Sequence, residues 1–203
     1  DNAKWSIEKL FNNRHIITKP KFQRDKKWTP LPKKKGNSPN YKDYIEFLIE
    51  NKNSVFPISF GTRLVNNEKK YIVIDGNNRI NAIISFLEKP YQLFSKLYEQ
   101  LFTILNSQTG KYKEQLKETV KNMNYRQLDN FRRLDDIINL EDYQQQGLTA
   151  VYVRDLEDEL TLIQKKLKHT DGTSFLGTII LNINIFEDGT FEDYCRIFES
   201  INK

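Results

Sequence analysis

The sequence predicts an α+β fold: a small mixed sheet with packed helices, interrupted by a helical insert. Strand-like segments occur in the front and the back of the chain, and segments with helical spacing of apolar residues separate them. Residues 91–146 show helical character throughout, in several pieces. The 203 residues are enough to bury a hydrophobic core without disulfides or metal ions, and no internal repeat or clear linker divides them. We therefore expect a single domain over residues 1–203, with the insert at about 91–146.

The front of the chain is predicted to begin with a short helix over residues 5–11, with Ser6 as its cap. Residues 16–22 have extended character. A second helix is predicted from apolar residues at i, i+3, i+4 and i+7, namely Tyr41, Tyr44, Ile45 and Leu48.

Two strands joined by a tight turn follow this helix. Residues 55–65 indicate the first strand, and the pair Asn66 and Asn67 is typical of a hairpin turn. Residues 71–74 form a short apolar run, which favours a buried strand. The next helix is predicted from helical spacing of Ile80, Ile83, Ile84 and Leu87, and Pro90 is expected to end it.

Behind the insert the sequence returns to the sheet. Residues 148–153 and 178–186 are strand candidates, and a helix is predicted between them over residues 155–168. Thr190 with Asp193 resembles a capping box that starts a last helix. The buried stripe of that helix is predicted to comprise Phe191, Tyr194, Cys195 and Phe198.

Composition narrows the functional classes. The single cysteine excludes a disulfide framework and a cysteine-based zinc site, and the two histidines lie too far apart to suggest a metal-ligand pair. No apolar run approaches the roughly 20 residues of a membrane span. No secretory signal stands at the start. The expectation is a soluble, cytoplasmic protein without a membrane partner.

The positive charge is concentrated at the front of the chain. The net charge is +5, but residues 1–42 hold 12 basic and three acidic side chains, and the remaining 161 residues net −4. A basic segment of this kind favours an anionic partner such as a nucleotide or nucleic acid, and a solvated lysine-rich surface explains it equally. Lys33, Lys34 and Lys35, in a predicted loop, are the candidate nucleic-acid contacts.

The most informative segment for chemistry is the predicted strand–turn–helix of residues 72–80. A helix that begins directly after Asp75 and Gly76 presents unpaired backbone N–H groups, which together with the helix dipole favour an anion. Gly76 would let a ligand approach the backbone, Arg79 could fork onto phosphate oxygens, and Asp75 could hold Mg²⁺ or orient a water. An ordinary turn, with Asn78 as the cap and Arg79 facing solvent, explains the same spacing.

A second segment lies at residues 22–28. Gln23 and Arg24 follow an extended stretch and offer hydrogen-bond donors. Trp28 could stack a base, although a tryptophan that anchors the core or surface is the more common case.

Together the two segments resemble a known family. A Gln-Arg pair, a tryptophan, a helix, a proline-containing strand and an Asp-Gly-x-x-Arg turn follow one another from Gln23 to Arg79. This order resembles the ParB/sulfiredoxin superfamily, and within it the N-terminal domain of GmrSD-type restriction enzymes (domain of unknown function 262). Residues 197–202 resemble the later Phe-Glu-x-x-Asn motif of that family, which ends here at Asn202. The resemblance thus covers about residues 5–202.

The resemblance implies a nucleoside triphosphate site that uses Mg²⁺, in a restriction or defence protein that acts with a nuclease domain or subunit. Carried over, the nucleotide-binding residues are Gln23, Arg24, Gly76, Asn77 and Arg79. The catalytic residues are Asp75, Asn78 and Arg79, with Asp75 also serving the metal. Any enzyme activity would be hydrolysis of the nucleotide. The chain ends where family members usually continue, so it would be a fragment or a stand-alone domain.

One difference from the usual turn of the family is expected to affect hydrolysis more than binding. The usual turn is Asp-Gly-Gln-Gln-Arg, and this chain has Asn77 and Asn78 in place of the glutamines. Each amide is one methylene shorter and would not reach as far toward a water. Binding through backbone N–H groups and Arg79 should survive this change better than hydrolysis does.

Two other functions fit the sequence. A DNA-binding or nuclease module acting on foreign or modified DNA is favoured by the basic residues 1–42. A two-metal nuclease needs several converging carboxylates, however, and Asp75 is the only acid that stands in a motif. A non-catalytic interaction domain with a decayed site is favoured by the change to Asn77 and Asn78.

Overall fold

The computed structural model describes residues 1–21, 28–33, 38–52, 56–187 and 189–203. The chain divides into two units. The first unit comprises Asp1–Ile84 and Ser174–Lys203, and the second comprises Ser85–Thr173, which includes the predicted insert. The α+β class is confirmed, because the described residues form many helices and a five-stranded mixed sheet.

The sheet belongs to the first unit. Its strands are β1 (Asn2–Ser6), β2 (Ile17–Thr18), β3 (Ile58–Val65), β4 (Glu68–Asp75) and β5 (Ile180–Phe186). They lie in the order β1-β5-β3-β4-β2. β1 with β5 and β3 with β4 pair antiparallel, whereas β3 with β5 and β2 with β4 pair parallel. β4 is therefore an interior strand, which agrees with the buried run from Ile72 to Ile74.

The helices complete both units. In chain order they are α1 (Ile7–Asn12), α2 (Tyr41–Glu50), α3 (Asn77–Glu88), α4 (Pro90–Phe94), α5 (Glu99–Asn106), α6 (Tyr112–Asn122), α7 (Tyr125–Asp129), α8 (Leu140–Gln145), α9 (Ala150–Lys166), α10 (Phe175–Thr178) and α11 (Phe191–Ile201). Short 3₁₀ helices lie at Arg14–Ile16, Ser95–Tyr98 and Leu134–Asp136. Across the described ranges, no helix has the length and apolar character needed to cross a bilayer.

The predicted hairpin turn between β3 and β4 is confirmed. Asn66 and Asn67 have φ of 52° and 62°, in the left-handed region that a two-residue type I′ turn requires. Asparagine tolerates this region better than most side chains. Val65 and Glu68 then face each other as the first pair of the hairpin.

The predicted helix over residues 5–11 is wrong at its start. Trp5 belongs to β1, and α1 begins after Ser6, whose hydroxyl accepts a backbone hydrogen bond as the predicted cap. Trp5 packs on Phe60 and Tyr71, with ring centroids 5.6 and 5.1 Å away. These partners are distant in sequence, so local spacing cannot reveal them.

The strand predicted over residues 148–153 is also wrong. Residues from 150 onward belong to α9, and within residues 85–173, all of which the structure describes, there is no strand. A short apolar run fits a helix or a strand equally well by periodicity. The buried Leu156, Leu160 and Ile163 continue the helical pattern of α9.

The second unit has an aromatic core and one notable polar tie. The ring of Phe86 lies 5.6 Å from that of Phe94 and 4.9 Å from that of Tyr125. The side-chain amide of Gln164 on α9 donates hydrogen bonds to three backbone carbonyl oxygens at the end of α7, those of Leu128, Asp129 and Phe131. These bonds satisfy acceptors that a helix end leaves open.

The last helix packs on β4 as its apolar stripe predicts. One buried cluster contains Ile72, Ile74 and Tyr194, with Ile197 and Phe198 packed against it. The capping box of Thr190 and Asp193 is confirmed. Phe191, predicted to belong to the buried stripe, is 49% exposed. It occupies the first position of the helix, where the stripe has not yet reached the sheet.

Candidate functional site

The candidate site lies at residues 75–79, hereafter the 75–79 turn, where β4 ends and α3 begins. Asp75 is the last residue of β4, and α3 begins at Asn77. Gly76 joins them, and its carbonyl oxygen accepts a hydrogen bond from the N–H of Ile80 at 2.9 Å. The strand–turn–helix predicted from the sequence is therefore formed.

Glycine is required at position 76 for two reasons. Its φ of +98° lies in a region that side chains rarely adopt. A Cβ atom there would lie 3.0 Å from Cγ1 and 3.3 Å from Cγ2 of Ile58, a buried residue at the start of β3. The backbone of the turn thus packs directly on β3, and this contact holds the turn in place.

The first turn of α3 leaves backbone donors free. The N–H groups of Asn77, Asn78 and Arg79 precede the first intrahelical hydrogen bond, and none of them has an acceptor among the described residues. α3 has 12 residues and no acidic side chain in its first turn. The partial positive charge of its N-terminus therefore has no local acid within the helix to offset it, and an anion would be stabilised there.

Asp75 and Arg79 form an ion pair across the turn. Nη2 of Arg79 donates to Oδ2 of Asp75 at 2.6 Å, and the two side chains are 15% and 31% exposed, respectively. The sequence predicts separate roles for them, one on phosphate and one on metal or water. The structure brings the two together, so an anion at Arg79 would share the guanidinium and its five donors with Asp75.

Asn78 does not cap α3. It lies inside the first turn, and its Oδ1 atom is buried without a hydrogen-bond partner in the part of the chain that the structure describes. Two details of the ordinary turn predicted as the alternative are therefore wrong, since Asn78 is not the cap and Arg79 is held in the ion pair. A buried oxygen without a partner costs free energy.

The ring of Phe56 lies beside Arg79. The guanidinium carbon is 5.9 Å from the ring centroid, and Phe56 is 57% exposed. The sequence did not indicate Phe56 as a site residue. Its one local feature is that Pro57 follows it near the start of the predicted strand. That feature does not indicate a contact with Arg79.

The Gln23–Arg24 pair, predicted to bind nucleotide, lies outside the described residues. Gln23, Arg24, Lys34 and Lys35 all fall there, so their predicted contacts with nucleotide or nucleic acid stay predictions. Lys33 is described and is exposed. Trp28 packs edge-on against Tyr44 with ring centroids 5.5 Å apart, which favours its role as an anchor.

Asp75 supplies the one carboxylate of the turn. Among the described residues, no group of three or more His, Cys, Asp or Glu side chains is placed to hold a metal ion. Mg²⁺ in nucleotide sites takes one or two carboxylates and completes its shell with phosphate oxygens and water. The turn therefore fits a cation that arrives with a nucleotide, and does not fit an all-protein metal centre.

Asn202, the asparagine of the Phe-Glu-x-x-Asn motif, caps the end of the last helix. Asn202 follows α11, and its Nδ2 atom donates to the carbonyl oxygen of Phe198 at 2.8 Å. This bond satisfies an acceptor in the last turn of the helix.

Comparison with known proteins identifies a family. The model for the GmrSD restriction endonuclease, N-terminal domain, matches residues 7–203, a range that contains the 75–79 turn and α11. No curated protein and no solved structure matches the chain.

Proposed function

The chain belongs to the family of GmrSD restriction endonuclease N-terminal domains, and from that membership we propose that it binds a nucleoside triphosphate at the 75–79 turn. Membership itself supports a restriction-type, defence role. The observation that carries the proposal is the start of α3, where three N–H groups without an acceptor among the described residues lie with the Arg79 guanidinium within one helical turn of Gly76.

Phosphate oxygens suit this set of donors. Gly76, with a φ of +98°, lets β4 pass directly into α3, which brings the first N–H groups of the helix to the turn. The N–H groups of α3 offer hydrogen bonds that cost no rearrangement, because the helix already orients them. Arg79 adds a positive charge with a planar fork of donors, which matches two oxygens of one phosphate.

Asp75 would serve a cation that accompanies the nucleotide. Its Oδ2 atom accepts from Arg79, and its Oδ1 atom has no partner among the described residues. Mg²⁺ bound there would neutralise part of the phosphate charge and polarise the bonds to phosphorus. Asp75 also holds Arg79 beside the phosphate position, so both members of the ion pair act on the ligand.

The site supports binding more strongly than hydrolysis. The turn that this chain resembles has two glutamines in place of Asn77 and Asn78, and the Oδ1 atom of Asn78 is buried. A side chain must reach the attacking water to orient it, and this oxygen does not face the solvent. We expect tight binding with slow or absent phosphate release.

Thermal unfolding with each of the four nucleoside triphosphates and Mg²⁺ tests the proposal. A ligand that binds only the native state stabilises it by about 2.7 kcal/mol at 100 times its Kd, so the Tm should rise. Arg79→Ala should weaken binding by about 10- to 100-fold, because it removes charge-assisted hydrogen bonds to phosphate. Arg79→Lys should lose part of the affinity, since a lysine keeps the charge without the fork.

Arg63→Ala is the matched control, because Arg63 is an exposed arginine of β3 in the same unit. It should bind nucleotide like the wild type. A Tm that none of the four nucleotides raises would refute the proposal.

DNA is the second candidate partner. The family match names a restriction endonuclease, and residues 1–42 carry 12 basic against three acidic side chains. The described ranges hold no carboxylate cluster of the kind a two-metal nuclease needs, so cleavage would come from a separate nuclease domain or subunit. Gel shifts of plain and modified DNA over a salt series test this. Affinity that does not change with salt would contradict phosphate contacts.

The third candidate is the interaction domain with a decayed site. Phosphate release that disappears in Asp75→Asn would exclude it.

A further inference from the structure

An exposed aromatic ring adjoins the 75–79 turn. Phe56 is 57% exposed, whereas Phe60, four residues further along the same segment, is fully buried. The guanidinium carbon of Arg79 lies 5.9 Å from the Phe56 ring centroid. A large apolar ring therefore faces water beside the side chain that we assign to phosphate.

The position of this ring is tied to the turn itself. Pro57 follows Phe56 and restricts the backbone, and Ile58 is 1% exposed. Ile58 is also the residue that packs against Gly76, at 3.0 Å from where a Cβ atom would lie. The contact that shapes the turn thus fixes the chain only two residues away from Phe56.

Core packing does not explain the ring. More than half of its surface is in water, so burial contributes little to stability at this position. The cation–π contact with Arg79 is weak at an exposed site, and the ion pair with Asp75 already orients that guanidinium. A ring that contributes little to folding and stands beside an anion site is suited to a ligand.

We propose that Phe56 is the stacking platform for the base of a nucleotide whose phosphates lie on the 75–79 turn. This inference rests on the proposed nucleotide function. In such a complex the ribose and phosphates would connect the base on Phe56 with the guanidinium of Arg79. Aromatic stacking tolerates every base, because each base offers a π-face. The site should therefore prefer any nucleoside triphosphate to inorganic tripolyphosphate and discriminate weakly among the four bases.

Titration calorimetry with ATP, CTP and inorganic tripolyphosphate, each with Mg²⁺, tests the platform. Phe56→Leu removes the aromatic face and keeps an apolar side chain of similar exposure. It should weaken ATP and CTP binding by about 5- to 100-fold and leave tripolyphosphate binding within about twofold. Phe56→Trp should restore the nucleotide affinity.

Phe191→Leu is the matched control, because Phe191 is a phenylalanine of similar exposure at the start of α11. It should leave all three affinities unchanged.

Three results would overturn the inference while leaving the proposed function intact. The first is nucleotide binding that Phe56→Leu does not change. The second is an equal loss for nucleotide and tripolyphosphate, which would mean that Phe56 acts only through Arg79. The third is a strong preference for one base, which stacking does not provide. Failure of the wild type to bind either nucleotide or tripolyphosphate would instead refute the nucleotide site itself.

Discussion

Two helices that start in the first unit, α3 and α11, begin in opposite ways. At the start of α11, Asp193 donates its N–H to Oγ1 of Thr190 at 3.2 Å, and Oδ2 of Asp193 accepts the N–H of Thr190 at 2.8 Å. Glu192 and Asp193 also place acids in the first turn, which the helix dipole favours. α3 has no acid there, and its first three N–H groups have no acceptor among the described residues.

The side chains around the two helix starts also differ in how well their polar groups are satisfied. Beside the start of α11, the Tyr194 hydroxyl accepts the N–H groups of Thr62 and Gly189 and donates to the Thr62 carbonyl oxygen at 2.7 Å. A Cβ atom on Gly61 or on Gly189 would lie 2.5 Å from the Tyr194 ring, so both glycines make room for it. Beside the start of α3, by contrast, the Oδ1 atom of Asn78 is buried without a partner in the described ranges.

This difference separates a stabilising helix start from a binding one. The side chains of α11 satisfy its own backbone, and the result is a rigid attachment of the helix to the sheet. The start of α3 keeps its donors open and its charge uncompensated within the helix, which costs stability and leaves room for a ligand. The predictions below test each half of this contrast.

The largest effect should come from removing Tyr194. Tyr194→Ala empties a buried site and should cost about 3–5 kcal/mol of unfolding free energy. Tyr194→Phe keeps the ring and leaves the backbone groups of Thr62 without their partner, so it should cost about 1–3 kcal/mol. Urea unfolding measures both.

Tyr152→Phe is the control for the hydroxyl, because the Tyr152 side chain makes no hydrogen bond within the described ranges. It should unfold like the wild type. A Tyr194→Phe variant as stable as the wild type would show that the hydrogen bonds of Tyr194 do not hold α11 to the sheet.

An intermediate effect should come from giving α3 the acid that it lacks. Asn77→Glu places a negative charge in the first turn and should stabilise the fold by about 0.3–1 kcal/mol. The same charge should repel phosphates and weaken nucleotide binding. Thermal unfolding without ligand and calorimetry with ATP and Mg²⁺ measure the two changes.

Asn77→Gln is the neutral control, because it keeps an uncharged amide at that position. It should change stability little and keep nucleotide binding. If Asn77→Glu binds nucleotide as well as the wild type does, the start of α3 is not the phosphate site.

The smallest effect concerns pH at the start of α11. The hydrogen bonds from the Thr190 hydroxyl and N–H hold the pKa of Asp193 below its ordinary value. A lowered native pKa means that the stabilisation is present above the ordinary pKa and is lost as the pH falls through the native one. Unfolding free energy measured from neutral to acidic pH should therefore fall less steeply in Asp193→Asn than in the wild type. Identical slopes would contradict this role of the capping box.

Local signals predicted both helix starts. The Thr190 and Asp193 pair, the Asn66 and Asn67 turn, and the strand–turn–helix at residues 75–79 were all visible in the sequence, and all three are formed. Each depends on backbone preferences or on hydrogen bonds between residues at most four apart, so neighbouring residues suffice to specify it.

The wrong predictions arose where partners are distant. Trp5 was predicted in a helix, and it pairs in β1 because Phe60 and Tyr71 complete an aromatic cluster around it. Residues 148–153 were predicted to form a strand, and they lead into α9 in a unit where, over residues 85–173, no strand is present to pair with.

The sequence by itself determined the α+β class, the caps of α1 and α11, the hairpin turn and the break at Gly76 before α3, because these follow from local conformational preference. Only the tertiary structure decided that Ile58 packs on Gly76, which places Phe56 beside Arg79. It also decided that Arg79 pairs with Asp75 and that the Oδ1 atom of Asn78 is buried. Burial and ion pairing depend on which distant segments come into contact when the sheet forms, and local sequence patterns do not predict those contacts.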